Sequence, residues 1–292
     1  MHYCIAIITL FIYNKFNKLF GGLKMAIKNL GATGHAFKDE TFENVANKLK
    51  ANNIDRIQLT PSKITTEFDW SKNCYTPALA NYIKEKLGGI HISSLGCYIN
   101  MAADGNDEVE RFKKNTEFAK FVGADIICTE TGRRDTREET RSVENYRRVL
   151  DAGKRMAECA EKFGVTVGIE VYYHHSIWNV ELLEKFLSDI NSPNMCCLLD
   201  LVGLVDVENI DNQNEVIDSY FDTFRDKIRL VHLKDMDIID GKKTVVPVGT
   251  GKIDFDYLFG KIDENLCAID MIVESVNPEY ITNGMGFFKK YL

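Results

Sequence analysis

From Ile27 to the C-terminus the chain alternates between two hydrophobic periods, and it does so eight times. Short apolar runs of strand length are followed by stretches whose apolar residues recur every three or four positions, the period of a helix buried on one face. The strand-like runs are Ile27–Thr33, Arg56–Thr60, Ile90–Tyr98, Asp125–Glu130, Val165–Glu170, Met195–Asp200, Ile228–Leu233 and Ala268–Glu274. The first helical stretch carries Phe42, Val45, Ala46 and Leu49 on one face, with Asp39 as its expected cap. The others are Pro77–Leu87, Asp107–Val122, Arg137–Phe163, Val180–Ile190, Asn212–Phe224, Phe255–Ile262 and a last one at the C-terminus. Gly123 and Gly164 stand where two of them should stop.

Eight strands alternating with helices, over a length close to the ~250 residues typical of such proteins, predict an α/β fold: a single-domain (β/α)8 TIM barrel. A doubly wound open sheet would favour a glycine-rich phosphate turn after the first strand. Gly31-Ala32-Thr33-Gly34 does not make one. The run Tyr3–Tyr13 is apolar but too short to span a bilayer, and it lacks the basic start and cleavage site of a signal peptide. Residues 1–24 are therefore expected to be an N-terminal extension outside the fold, with Met25 an alternative start and the barrel spanning 25–292.

The net charge of −7, from 36 basic and 43 acidic residues, with no long basic run, argues against a nucleic-acid partner. No membrane partner is expected, and a homo-oligomer remains open. The eight cysteines (4, 74, 97, 128, 159, 196, 197, 267) contain no CxxC pair. Most sit in or beside apolar strands, as small hydrophobes would in a reducing cytoplasm.

Chemistry collects at the strand ends. Four successive apolar runs finish on Glu170, Asp200, His232 and Glu274, and two earlier ones on Glu130 and His35. In a barrel all these ends face one mouth, where active sites lie. Three carboxylates and a histidine gathered there without a cation would repel one another and stay desolvated. An oxygen-rich set with one nitrogen suits Mn²⁺, Mg²⁺ or Co²⁺, with Zn²⁺ also possible. Alternation within Arg229-Leu230-Val231-His232-Leu233-Lys234-Asp235 puts Lys234 on the face of His232 and Asp235 on the other.

Several short motifs, in this order and spacing, resemble the sugar phosphate isomerase/epimerase family, whose fold is the xylose isomerase-like TIM barrel. They are Leu95-Gly96-Cys97-Tyr98, Thr129-Glu130-Thr131-Gly132, Gly168-Ile169-Glu170, Leu198-Leu199-Asp200, Val231-His232-Leu233-Lys234-Asp235, Gly249-Thr250-Gly251-Lys252-Ile253-Asp254-Phe255 and Val273-Glu274. The resemblance covers nearly the whole chain from Met25. It implies metal ligation by Glu170, Asp200, His232 and Glu274, with Glu170 and Glu274 also exchanging the substrate proton. A divalent ion holding a carbonyl and its neighbouring hydroxyl acidifies the C–H between them and stabilises a cis-enediolate. A carboxylate on each face then gives epimerisation, and return of the proton to the neighbouring carbon gives aldose–ketose isomerisation.

Two positions depart from the related epimerases. Gly203 stands where they carry a histidine, and no arginine occurs near Ile238, so the polyol-binding shell differs. Candidate substrate contacts are His35, Glu130, His174, His175, Lys234, Asp235 and Arg133, the last as a phosphate ligand. The Gly249-Thr250-Gly251 turn offers backbone N–H groups to an anion or serves as a plain loop. Inosose-type dehydratases share this fold and metal set. So do apurinic-site endonucleases share the barrel, but those need more histidines and a basic groove. A non-catalytic sugar-binding module is the remaining alternative.

Overall fold

The computed structural model describes residues 27–292 apart from 71, 73 and 267. The N-terminal extension, Cys4 and Cys267 lie outside the described residues. Eight parallel strands close into a barrel in the order β1-β10-β7-β6-β5-β4-β3-β2. They are β1 (Ile27–Thr33), β2 (Arg56–Leu59), β3 (His91–Gly96), β4 (Ile126–Glu130), β5 (Thr166–Glu170), β6 (Met195–Asp200), β7 (Ile228–Leu233) and β10 (Ala268–Val273). Helices α1 (Phe42–Ala51), α2 (Pro77–Leu87), α3 (Asp107–Val122), α4 (Val143–Phe163), α5 (Val180–Ile190), α6 (Gln213–Phe224), α7 (Phe255–Asn265) and α8 (Pro278–Phe288) accompany them. The expected barrel is the observed fold.

Side-chain alternation explains how the barrel carries its mouth. Cys128, Leu198, Leu230 and Ile272 form a small buried cluster inside it. Each lies two residues before Glu130, Asp200, His232 and Glu274, and so shares their inward face. The interior is thus an apolar layer with a polar layer above it. Outside, the apolar faces of the helices pack against the strands in one large core. Among the described residues no disulfide is formed; Cys97, Cys128, Cys196 and Cys197 are free and buried. No helix among them is long and apolar enough to cross a membrane.

Two local expectations are corrected, and one element is added. Thr41, not Asp39, caps α1, its side chain accepting from the N–H of Asn44. Asp39 adopts a left-handed backbone, φ 61°, which an N-cap does not use. The stretch Arg137–Phe163 is two helices. Thr136 closes a capping box on a single turn, Arg137–Thr140, and Ser142 caps α4 afresh. Finally, the segment after β7 is an antiparallel hairpin of β8 (Asp235–Ile239) and β9 (Lys242–Val246). Its turn residues Asp240 and Gly241 have φ of 52° and 72°, the pair of left-handed residues that a tight hairpin requires.

Asp235 anchors that excursion and the loop behind it. Its carboxylate accepts from the backbone N–H of Met236 at 2.8 Å, Gly249 and Gly251 at 2.9 Å, and Ile253 at 3.2 Å. The Gly249 and Gly251 N–H groups therefore do bind an anion, and it is this chain's own, while the Thr250 N–H donates to the Pro247 carbonyl. Asp235 is 1% exposed, so its expected contact with substrate is replaced by a structural one. Asp235→Ala would leave four backbone N–H groups without acceptors, those of Met236 and Ile253 buried. Each such loss costs about 1–3 kcal/mol before relaxation, so the variant should unfold several degrees lower in a thermal melt. An unchanged midpoint would contradict the anchoring role.

Candidate metal centre and active site

Parallel pairing sets the residues side by side. Glu130 pairs with Glu170 across β4 and β5, and Asp200 with His232 across β6 and β7. Glu274 follows β10 directly and its N–H donates to the Leu233 carbonyl. One donor atom from each of Glu170, Asp200, His232 and Glu274 lies within 4.8 Å of the others. Two donors at ~2.1 Å from one divalent ion are at most ~4.2 Å apart, so the cluster is within a fraction of an ångström of cradling one.

The donor atoms are also unsatisfied. Both carboxylate oxygens of Glu170, Oδ2 of Asp200, Oε2 of Glu274 and Nδ1 of His232 are buried without an aligned hydrogen bond. His232 Nδ1 approaches Glu274 Oε2 at 2.7 Å and Glu170 Oε2 at 3.5 Å, but neither approach is directed along an N–H. Buried polar atoms are nearly always paired, and five orphans aimed at one point fit a cation. Lys234 supplies a positive charge at the same place. Its Nζ lies 2.7 Å from Asp200, 3.0 Å from Glu274 and 3.6 Å from Glu170.

Charge and burial divide the group. Burial pushes the Glu170 carboxyl up, and Lys234 at 3.6 Å, followed by His232, offsets this only in part. Burial also works against ionisation of Asp200 and Glu274, but Lys234 and His232 outweigh it and hold both below the usual range. For His232 burial disfavours the charged ring, yet Glu274 and Glu170 raise its pKa to about 10. Without a metal ion the imidazole is thus protonated, and a ligated cation would have to displace that proton.

The other ring nitrogen is fixed by a contact that sequence reading missed. His232 Nε2 lies 2.8 Å from Gln58 Oε1, on β2, while Gln58 Nε2 donates to the Tyr98 hydroxyl at 3.0 Å. Ser94 Oγ donates to the same Gln58 oxygen at 3.1 Å. An amide oxygen at Nε2 keeps the proton there and leaves Nδ1 free for the cluster. The signal in the sequence is a glutamine between Ile57 and Leu59 in a strand-length run, and the structure buries it fully.

The remaining candidates divide. His35 Nε2 lies 4.0 Å from Glu274 Oε1, and burial lowers its pKa, so its ring is neutral near pH 7. Glu130 is raised to about 7 by burial and by Glu170, and faces His175 Nδ1 at 3.5 Å. Burial and Arg133 push His175 down to about 4. His174 turns aside to Asp206 at 2.9 Å and is half exposed. Arg133 is exposed and outside the lining of the mouth cavity, while Arg134 is tied to the Ala102 carbonyl and Asp104. That cavity, of about 650 Å³, is lined by His35, Tyr98, Glu130 and Glu274, and by residues of the loops after β1 and β2.

Gly203 has a steric explanation. A Cβ there would meet the Val171 carbonyl oxygen at 2.2 Å, and the Gly203 N–H and carbonyl bond Asp200 and the Tyr173 N–H. No side chain fits at this position. On the same side of the mouth, Lys243 reaches back from β9 to the Val202 and Val205 carbonyls.

The family described as xylose isomerase-like TIM barrel matches residues 26–291. The chain belongs to this family. Among curated proteins no sequence match is found. Solved structures are similar throughout. A D-tagatose 3-epimerase-like protein is 17% identical, with TM-score 0.72 over 90% of this chain and 96% of its own. The probable 3-DHS dehydratase AsbF of Bacillus anthracis is 15% identical, with TM-score 0.67 over 90% and 98%. The IOLI protein, with a bound zinc atom, is 17% identical, with TM-score 0.65 over 90% and 96%. At these identities the likeness is one of fold. The multi-histidine centre of a DNA-repair barrel is not assembled: among the described residues the one group able to hold a metal contains a single histidine, and His91 pairs with Asp270 instead.

Gln58→Leu should keep the fold and weaken divalent-metal binding by about 10–100-fold, the usual cost of losing such support. Titration calorimetry with Mn²⁺ checks it. Wild-type affinity would mean that Gln58 does not orient His232.

Proposed function

We propose that the protein is a divalent-metal-dependent isomerase or epimerase acting on a small sugar or sugar phosphate. The observation that carries this reading is the convergence of the Glu170, Asp200, His232 and Glu274 donor atoms within 4.8 Å beside the mouth cavity. The oxygen-rich donor set suits Mn²⁺, Mg²⁺ or Co²⁺ and tolerates Zn²⁺, the metal named in the IOLI structure. A bound divalent ion withdraws electrons from two neighbouring substrate oxygens and so acidifies the C–H between them.

The chain's own groups do the rest. Glu170 ends β5 and Glu274 follows β10, with β6 and β7 between them around the barrel. A substrate seated at the centre meets a carboxylate from each side. One glutamate takes the proton from the carbon beside the carbonyl, and the other returns a proton to the opposite face, inverting that carbon. Return to the adjacent carbon interconverts aldose and ketose. Neutral His35 and the Glu130–His175 pair offer hydroxyl contacts along the wall. The similar fold of a D-tagatose 3-epimerase-like protein supports this reading.

Lys234 favours a second reading, a metal-dependent dehydratase. Its ammonium group sits among three carboxylates and carries donors that can protonate a departing hydroxyl. The similarity to a probable dehydratase points the same way.

Glu170→Gln and Glu274→Gln should each lower turnover by several orders of magnitude while ligand still binds. Full activity in either would sink the proton-transfer assignment. Chelation should abolish activity, and Mn²⁺ should restore it. A panel of ketoses, ketose phosphates and inososes in deuterated water separates the two reactions: deuterium entering a product of unchanged composition means epimerisation or isomerisation, and loss of water means dehydration.

A further inference from the structure

The mouth cavity has two chemically different ends. At the inner end stand Glu274 and Glu130. At the outer end, the loop after β1 contributes Lys38 and the loop after β2 contributes Lys63. Neither lysine makes an ion pair or hydrogen bond among the described residues. Lys38 and Lys63 are exposed, as is the unpaired Lys120 on α3, but these two line the cavity that opens onto the carboxylate cluster.

The wall that carries them is built. The Glu40 N–H donates to the Ile64 carbonyl at 3.0 Å and stitches the two loops together. Beneath that bond a Cβ on Gly34 would meet Ile64 at 2.7 Å and the Gln58 carbonyl at 3.0 Å, so the loops are in close contact. Asp39 lines the same wall, which leaves it one positive charge in excess, and Thr66 adds a hydroxyl.

A cavity acidic at one end and basic at the other orients a ligand with the opposite polarity. The carboxylates of the metal-free site disfavour an anion at the inner end, and the lysines attract one at the outer end whether or not an ion is bound. The cavity volume of about 650 Å³ falls mid-range for small-molecule sites and leaves room beyond a bare pentose or hexose. We propose that Lys38 and Lys63 form an oxyanion subsite that holds a phosphate ester or carboxylate on the end of the substrate remote from the reacting carbon. This rests on the reading of the inner end as the reaction centre, and it narrows the substrate class to anionic sugars or sugar acids.

Binding of inorganic phosphate and of acetate, measured by titration calorimetry, tests the subsite without turnover. The titrations use protein loaded with Mg²⁺ and the same protein after chelation, which separates anion bound by the lysines from anion bound by the metal. Wild-type protein should bind one of the two anions saturably in both states. The preferred anion tells a phosphate ester from a carboxylate. Lys38→Ala with Lys63→Ala should weaken binding at least about tenfold, as expected for two charge-assisted contacts, and Lys38→Glu with Lys63→Glu should remove it. Lys120→Ala should match wild type. Equal affinity in all variants, or no saturable binding of either anion, overturns the proposal. Protein that binds the anion but moves no proton in any sugar overturns the catalytic reading alone. Protein that epimerises neutral sugars and binds neither anion overturns the subsite alone.

Discussion

Three carboxylates cannot be buried at one point without positive charge beside them, and that requirement organises the mouth of this barrel. Desolvating a single ion costs several kcal/mol even after relaxation. Here Glu170, Asp200 and Glu274 are gathered within reach of one another, with Lys234 and a protonated His232 as counter-charges. The two cations balance the cluster only partly, and five donor atoms are left without aligned partners. A divalent ion would satisfy both deficits at once, and that is the ground for proposing a metal centre where Lys234 already pairs with the carboxylates.

The scaffold serves that arrangement at several removes. The apolar layer of Cys128, Leu198, Leu230 and Ile272 fills the barrel one pleat below the polar residues and fixes their height. Gln58, from a strand on the far side of β1 and β10, sets which nitrogen of His232 faces the centre. Asp235, facing away from the cluster, gathers four backbone N–H groups and so holds the hairpin and the Gly249–Gly251 loop in place. Neighbouring residues of one segment, His232, Lys234 and Asp235, thus divide into two inward groups and one outward anchor, as strand alternation dictates.

Much of this was legible in the sequence because parallel barrel strands are buried on both faces. They read as apolar runs whose last inward residue stands out when it is polar. Glu170, Asp200, His232 and Glu274 were found on that basis. The hairpin is legible too, since Asp240-Gly241 between alternating runs is a strong turn signal, but the eight-strand reading assigns nothing to this segment. Asp39 and Thr41 are both acceptable caps by residue type, and only the backbone at Asp39 decides between them. The contact of Gln58 with His232 was out of reach: the residues are 174 positions apart, and only barrel closure brings them together. The same closure turns Lys234 from a residue of suitable phase into a partner of three carboxylates.

The central claim is that these four strand-end residues form a cation site whose histidine gives up a proton on binding. Titration of the chelated protein with Mn²⁺ in two buffers of different ionisation enthalpy measures stoichiometry and proton release together. The account predicts one ion per chain, with net proton release near neutral pH, and no such binding in Asp200→Ala. Binding without proton release would contradict the protonated state of His232, and absence of saturable binding would contradict the site itself.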